Sequence, residues 1–171
     1  EIENNILKIK VNTVGAELVS VVDKKSDSEL LWRGNEKYWK GQSPIMFPFC
    51  GRLFERKYEY KGKQYEINLH GFARHLEFSL LKKENNSISF KLSENDETLK
   101  IFPFKFNLIV TYNLDGEKLS VNYKVENTND SAMYFSIGGH PGFNVPFEKN
   151  KKFEDYHIEI THDSLKRRIL I

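Results

Sequence analysis

The sequence predicts an all-β protein, an antiparallel sandwich or barrel, and three features predict it. Apolar residues recur at every second position through most of the chain. Clusters of Asn, Asp and Gly interrupt that alternation at short intervals, where a sheet needs turns. Apolar residues at helical spacing are scarce.

Taken in order, 6–11, 16–22 and 29–33 read as the first strands, followed by a short helical turn over Asn35–Lys40. KYEYKGKQYEI (57–67) alternates on both sides of Lys61–Gly62 and reads as a hairpin. Strands follow at 76–83 and 87–92, then a second helical turn over Asp96–Lys100. In FKFNLIVTYNL (104–114), Phe104, Phe106, Leu108, Val110, Tyr112 and Leu114 fall on one face. LSVNYKVEN (119–127) repeats the pattern through Leu119, Val121, Tyr123 and Val125, and DGEK (115–118) joins the two as a hairpin. The last strands are expected at 132–137 and 156–161. Pro44, Pro48, Pro103, Pro141 and Pro146 all lie beside aromatic segments, where they stiffen connections. No fixed repeat, low-complexity tract or linker divides residues 1–171, so one domain is expected.

Composition narrows the function classes. With 39% of its 171 residues hydrophobic, the chain has material for a packed core that buries roughly two-thirds of its unfolded surface. The 26 basic and 24 acidic residues nearly cancel, which gives no electrostatic reason to expect nucleic acid or an anionic membrane. Lys149–Lys152 and Lys166–Arg168 are local basic clusters that read as solvated surface. Cys50 is the single cysteine, so no intrachain disulfide can form, and its apolar run IMFPFC suggests a small buried side chain. No apolar stretch approaches the ~20 residues of a membrane-spanning helix. EIENNILKIK at the start lacks the basic-then-apolar order of a secretory signal, and a cytoplasmic location is expected.

The candidate chemistry rests on two histidines in glycine-rich, aromatic-flanked settings. His70 lies in LHGFARH (69–75) and His140 in SIGGHPGFN (136–144). Imidazole can give and take a proton near neutral pH, and small neighbours leave room for a ligand. Arg52 in FPFCGRL (47–53) and Arg74 add rigid donors for hydroxyls or a phosphate. Phe143, beside Phe72 and Trp39, offers a flat face for a sugar ring, and Asn144 adds an amide. A bland reading stands beside each: His70 as a turn histidine bonded to backbone, His140 as a loop stabiliser, Arg52 and Arg74 as partners of Glu55 and Glu77. His75, His157 and His162 read as surface or structural. The His70–His75 spacing is not that of a zinc-binding helix, and no metal is expected.

SPIMFPFCGRL (43–53), LHGFARHLEF (69–78), ETLKIFPFKF (97–106) and SIGGHPGFNVPF (136–147) together resemble the galactose mutarotase (aldose 1-epimerase) superfamily, especially its LacX-type branch. The resemblance implies a large two-sheet β-sandwich, the supersandwich, of which these residues form the N-terminal three-fifths, incomplete at the C-terminus. It implies interconversion of the α and β anomers of a hexose or hexose phosphate by acid–base ring opening, with no cofactor. His140 would then protonate the ring oxygen, and His70 would hydrogen-bond the sugar near the reacting centre. Arg52, Arg74, Phe143 and Asn144 would bind substrate. The family's base is a late glutamate. Asp155, Glu159 and Asp163 follow His140 without matching its acidic motifs, so that base is expected beyond residue 171. A non-catalytic carbohydrate-binding sandwich is the alternative.

Overall fold

The computed structural model of the protein describes residues 1–148 and 150–159. Its first sheet is antiparallel, in the order β1 (Ile2–Glu3), β2 (Leu7–Val11), β3 (Leu18–Asp23) and β4 (Ser28–Glu29). Two residues of β5 (Ile45–Met46) come next, then a hairpin of β6 (Lys57–Tyr60) and β7 (Lys63–Glu66). β8 (Ser79–Lys83), β9 (Ser87–Ser93), β10 (Phe106–Asp115) and β11 (Lys118–Asn127) form the second sheet, ordered β11-β10-β9-β8. β12 (Gly138–Gly139) pairs with β5.

One apolar cluster joins the two four-stranded sheets. Ile9, Leu18 and Val21 enter it from the first, and Ile88, Phe90, Leu92 and the inward face of β10 from the second. Tyr112 spans the layers, its hydroxyl donating to the Ala16 carbonyl at 2.7 Å. A buried phenol needs such an acceptor, because an unpaired one costs about 1–3 kcal/mol.

The hairpins carry the turn chemistry their sequences announce. Lys61 and Gly62 both take positive φ, 50° and 74°, as a type I′ turn requires. Gly116, at φ 56°, opens the tight turn that brings Asp115 opposite Lys118. The expected helical turn at 96–100 is a true helix, α1 (Asp96–Ile101). Asn95 and Thr98 cap it reciprocally, each side chain accepting the other's backbone N–H.

The expected alternation of β10 and β11 has unequal outcomes. Every inward residue of β10 from Phe106 to Leu114 is buried, whereas Leu119, Val121, Tyr123 and Val125 of β11 are only partly covered. Among the described residues, β10 has a strand on each side and β11 on one side alone.

Five expectations need correction. Asn35–Lys40 is a turn closed by an Asn35–Trp39 bridge: Asn35 N–H donates forward to the Trp39 carbonyl, whereas a helix runs its N–H groups back to carbonyls four residues earlier. The 29–33 strand shrinks to β4 and a single bridge from Leu31 to Phe143. No strand forms at 132–137, where Ser136 instead binds Pro48 and Cys50 in a loop. At 156–159 there is no strand either; a single 3-10 turn at Phe153–Asp155 precedes it, and 160–161 lie outside the described residues, as do Lys149, His162, Asp163 and Lys166–Arg168. Cys50 is exposed rather than buried, because the chain turns outward at Gly51 after the buried Phe47 and Pro48.

Candidate functional site

Residues 42–51 form the ladder to which both imidazole-bearing loops attach. Phe47, wholly buried, sits at its centre. Its carbonyl accepts from the Phe72 and Ala73 N–H groups and its own N–H donates to the His70 carbonyl. Further along, the Pro44 carbonyl accepts from His140 N–H and the Gln42 carbonyl from Gly142 N–H. The β5–β12 pairing of Met46 with Gly138 and Ile45 with Gly139 completes the attachment. The apolar run SPIMFPF therefore does more than fill the core: its alternate backbone groups set the spacing between the two histidine loops.

His70 is held at both its main chain and its ring. Its N–H donates to the Gly51 carbonyl at 2.9 Å, and Gly51 N–H donates back to Nδ1 at 3.0 Å. That second bond makes Nδ1 an acceptor, so the ring proton sits on Nε2, which is left to donate. The residue takes a positive φ of 64°, imposed by the tight loop. Gly71 follows at φ 72°, and a Cβ there would come within 2.2 Å of the Phe47 carbonyl oxygen, so only glycine fits. Partial burial, then the charge of Arg74 and then His140, push the His70 imidazole below its ordinary pKa. The ring is accordingly neutral at pH 7.

The His140 ring lies 6.0 Å from that of His70, centre to centre. Its other neighbour is Trp39, with ring centres 5.1 Å apart and planes inclined at 57°. His140 is exposed, so this face of the pair is open to a ligand. Two imidazoles thus converge from loops 70 residues apart in sequence.

The arginines gather around a hollow that neither His70 nor His140 lines, and not in the pairings that the bland reading expects. Arg52 and Arg74 line one polar hollow of about 240 Å³ with Arg56, Asn68 and His75. Among the described residues none of the three arginines pairs with a carboxylate. Arg74 Nε donates to His75 Nε2 at 3.0 Å, while Glu77 accepts from the Thr13 hydroxyl. Arg56 escaped the sequence reading because the 3-10 turn at Phe54–Arg56 follows neither strand nor helix periodicity.

Two of the sequence-chosen residues are placed elsewhere. Phe143 lines an apolar hollow with Leu30, Leu31, Pro141 and Phe147, which neither His70 nor His140 lines. Trp39 is the aromatic ring beside His140. Asn144 donates both amide hydrogens to the carbonyls of Glu29 and Leu31, at 2.9 and 2.8 Å, which makes it a clip between loops. The sequence signal for Asn144 was adjacency alone, and adjacency says nothing about which way an amide points.

With this geometry in hand, residues 1–167 match the family model for aldose 1-epimerase. The chain belongs to the aldose 1-epimerase family. It is 35% identical over 167 residues to the plasmid protein LacX of Lactococcus lactis subsp. lactis, covering 94% of this chain and 56% of that protein. A galactose mutarotase related enzyme from Lactobacillus acidophilus superposes with a TM-score of 0.87 at 43% identity, over 90% of this chain and 51% of that one. A putative glucose-6-phosphate 1-epimerase of Escherichia coli K12 is 25% identical over 126 residues, 66% of this chain and 40% of that protein. The family member described here is of the LacX type, with a galactose mutarotase-like β-sandwich fold. It spans about half the length of these longer relatives.

Proposed function

We propose that this chain is the N-terminal part of a carbohydrate isomerase, residues 1–171 belonging to one mutarotase-like domain, that interconverts the α and β anomers of a hexose or hexose phosphate in the cytoplasm. The observation that carries the reading is the 6.0 Å approach of His70 and His140 on an open face. Anomer exchange removes the proton of the C1 hydroxyl and protonates the ring oxygen O5 as the C1–O5 bond breaks. The open aldehyde turns about C1–C2 and recloses, with no net change of electrons. His140 gives its proton to O5 and recovers it on closure. His70, neutral and with Nε2–H free, donates a hydrogen bond to the sugar near the reacting centre and stabilises charge as it builds there.

The partner base is assigned to a glutamate beyond residue 171, by resemblance to the family. Among the described residues, the charged groups that act on the His70 ring are Arg74 and His140. The 171 residues alone therefore bring the acid without the base, and polarimetry on them should show anomer exchange far slower than for a complete family member. Equal rates would overturn the assignment of the base. The same lack favours a second reading, a sugar-binding sandwich without turnover; retention of sugar binding with no exchange in the full-length protein would establish it.

Three arginines around one hollow, none of them paired with a carboxylate among the described residues, favour a phosphorylated hexose over a free one, since guanidinium groups match phosphate oxygens bidentately. Calorimetric titration with galactose and with glucose 6-phosphate separates the two. Arg56→Gln should weaken only the phosphate ester, and a preference for the free sugar would reverse this choice.

A further inference from the structure

We propose that Trp39 is a positioning residue, whose indole fixes the orientation of the His140 ring for proton transfer; this rests on the reading of His140 as the acid.

Four observations converge on it. The turn at 35–39 closes on Trp39 itself: its carbonyl accepts from Asn35 N–H at 2.8 Å and from the Trp32 indole N–H at 2.9 Å. A half-buried side chain is thereby anchored at its own backbone. The sheath around the indole is cleared by two glycines from separate segments. A Cβ at Gly41 would lie 2.6 Å from Trp39 Cζ2, and one at Gly142 would lie 2.9 Å from Cζ3. Neither glycine has a positive φ, so it is the approach of the ring, not the backbone, that calls for glycine there. Finally, among the described residues the His140 side chain makes no hydrogen bond, whereas His70 is tied through Nδ1. The ring contact with Trp39 is then the restraint on His140 that replaces a hydrogen bond. Aromatic pairs in tilted geometry hold each other with modest but directional energy.

An acid must present its proton along the line to the ring oxygen, and a displacement of about 1 Å can lower a rate ~100-fold. Loss of the indole should therefore act on turnover and not on affinity. In the full-length protein, Trp39→Ala is expected to lower kcat by roughly 10- to 100-fold with KM changed less than about twofold, and Trp39→Phe to restore most of it. Gly41→Ala keeps the indole and displaces it, and is expected to lower kcat in the same direction. That variant also decides the matter should Trp39→Ala fail to fold.

A second measurement does not depend on turnover. The ring protons of His140, assigned in the NMR spectrum by their loss in His140→Asn, lie within the ring current of Trp39. In Trp39→Ala and Gly41→Ala these signals are expected to shift, and their cross-relaxation to the His70 ring to weaken, while the His70 signals stay put. Unchanged His140 signals and contacts would overturn the proposal. So would a rise in KM at constant kcat, which would make Trp39 a stacking surface for the sugar. If the wild-type protein shows no turnover at all, the epimerase reading fails and the NMR measurement still decides the role of Trp39.

Discussion

The two imidazole loops meet at one place by different means. His70 is fixed by reciprocal bonds with Gly51, by a positive φ, and by a glycine pressed against the Phe47 carbonyl. His140 directly follows the two-residue strand β12, exposed, with its backbone tied to Pro44 and its ring against Trp39. The difference fits the division of labour proposed for them. A group that only donates a hydrogen bond profits from a locked tautomer, whereas one that loses and regains a proton must keep the nitrogen that carries it free of competing partners.

Substitutions at each loop sharpen or break that contrast. The largest effect is expected from His140→Asn, which should lower the mutarotation rate of the full-length protein by about 10²- to 10⁴-fold, read by polarimetry. His70→Gln keeps an N–H donor and should cost less than His70→Ala. If Gln and Ala are equally harmful, His70 transfers a proton and the two roles are not distinct. Next comes Gly71→Ala, where a positive φ and the 2.2 Å clash with Phe47 should together remove roughly 3 kcal/mol of stability, seen as a lowered Tm. Asn144→Ala removes two hydrogen bonds that hold the His140 loop to Glu29 of β4 and to Leu31. It should cost about 1–2 kcal/mol in denaturant unfolding and slow turnover only through looser placement of that loop.

The smallest effect is the pH dependence from His70. Its imidazole is pushed below the ordinary value in the folded protein, chiefly by burial. Between the folded and unfolded values the unfolded chain binds more protons, so stability rises with pH. The contribution is present in full above the unfolded value of about 6.5, declines as pH falls through that value, and levels off below the folded one. His70→Gln should flatten this part of the stability profile, while His140→Asn should leave the part due to burial in place.

Much of the fold was legible because strand alternation is a local property. The β10–β11 hairpin, the β6–β7 hairpin with Lys61–Gly62 at its tip, and the helix over 96–101 all follow from residues within a few positions of one another. The failures lie where local signals compete with distant backbone. Asn35 looked able to start a helix, but its backbone N–H closes a turn onto the Trp39 carbonyl while its side chain accepts from Lys37 N–H. The 132–137 segment alternates weakly, yet Ser136 bonds to Pro48 and Cys50 instead of to a neighbouring strand. In the candidate site, His70, His140 and the two arginines were recognisable from residue type and glycine context. The direction of the Phe143 ring and the Asn144 amide was not, since each depends on a segment about 115 residues earlier in the chain.

Residue order by itself therefore determined an antiparallel sandwich, its turns, and which side chains are candidates for proton chemistry, because period, turn propensity and the intrinsic pKa of imidazole are properties of single residues and short stretches. Only the tertiary structure decided that the 42–51 ladder brings two remote loops within 6.0 Å and that an indole, not a phenyl ring, faces His140. The physical reason is that backbone hydrogen bonds between distant segments, once buried, must be satisfied, and satisfying them sets positions that no local pattern encodes.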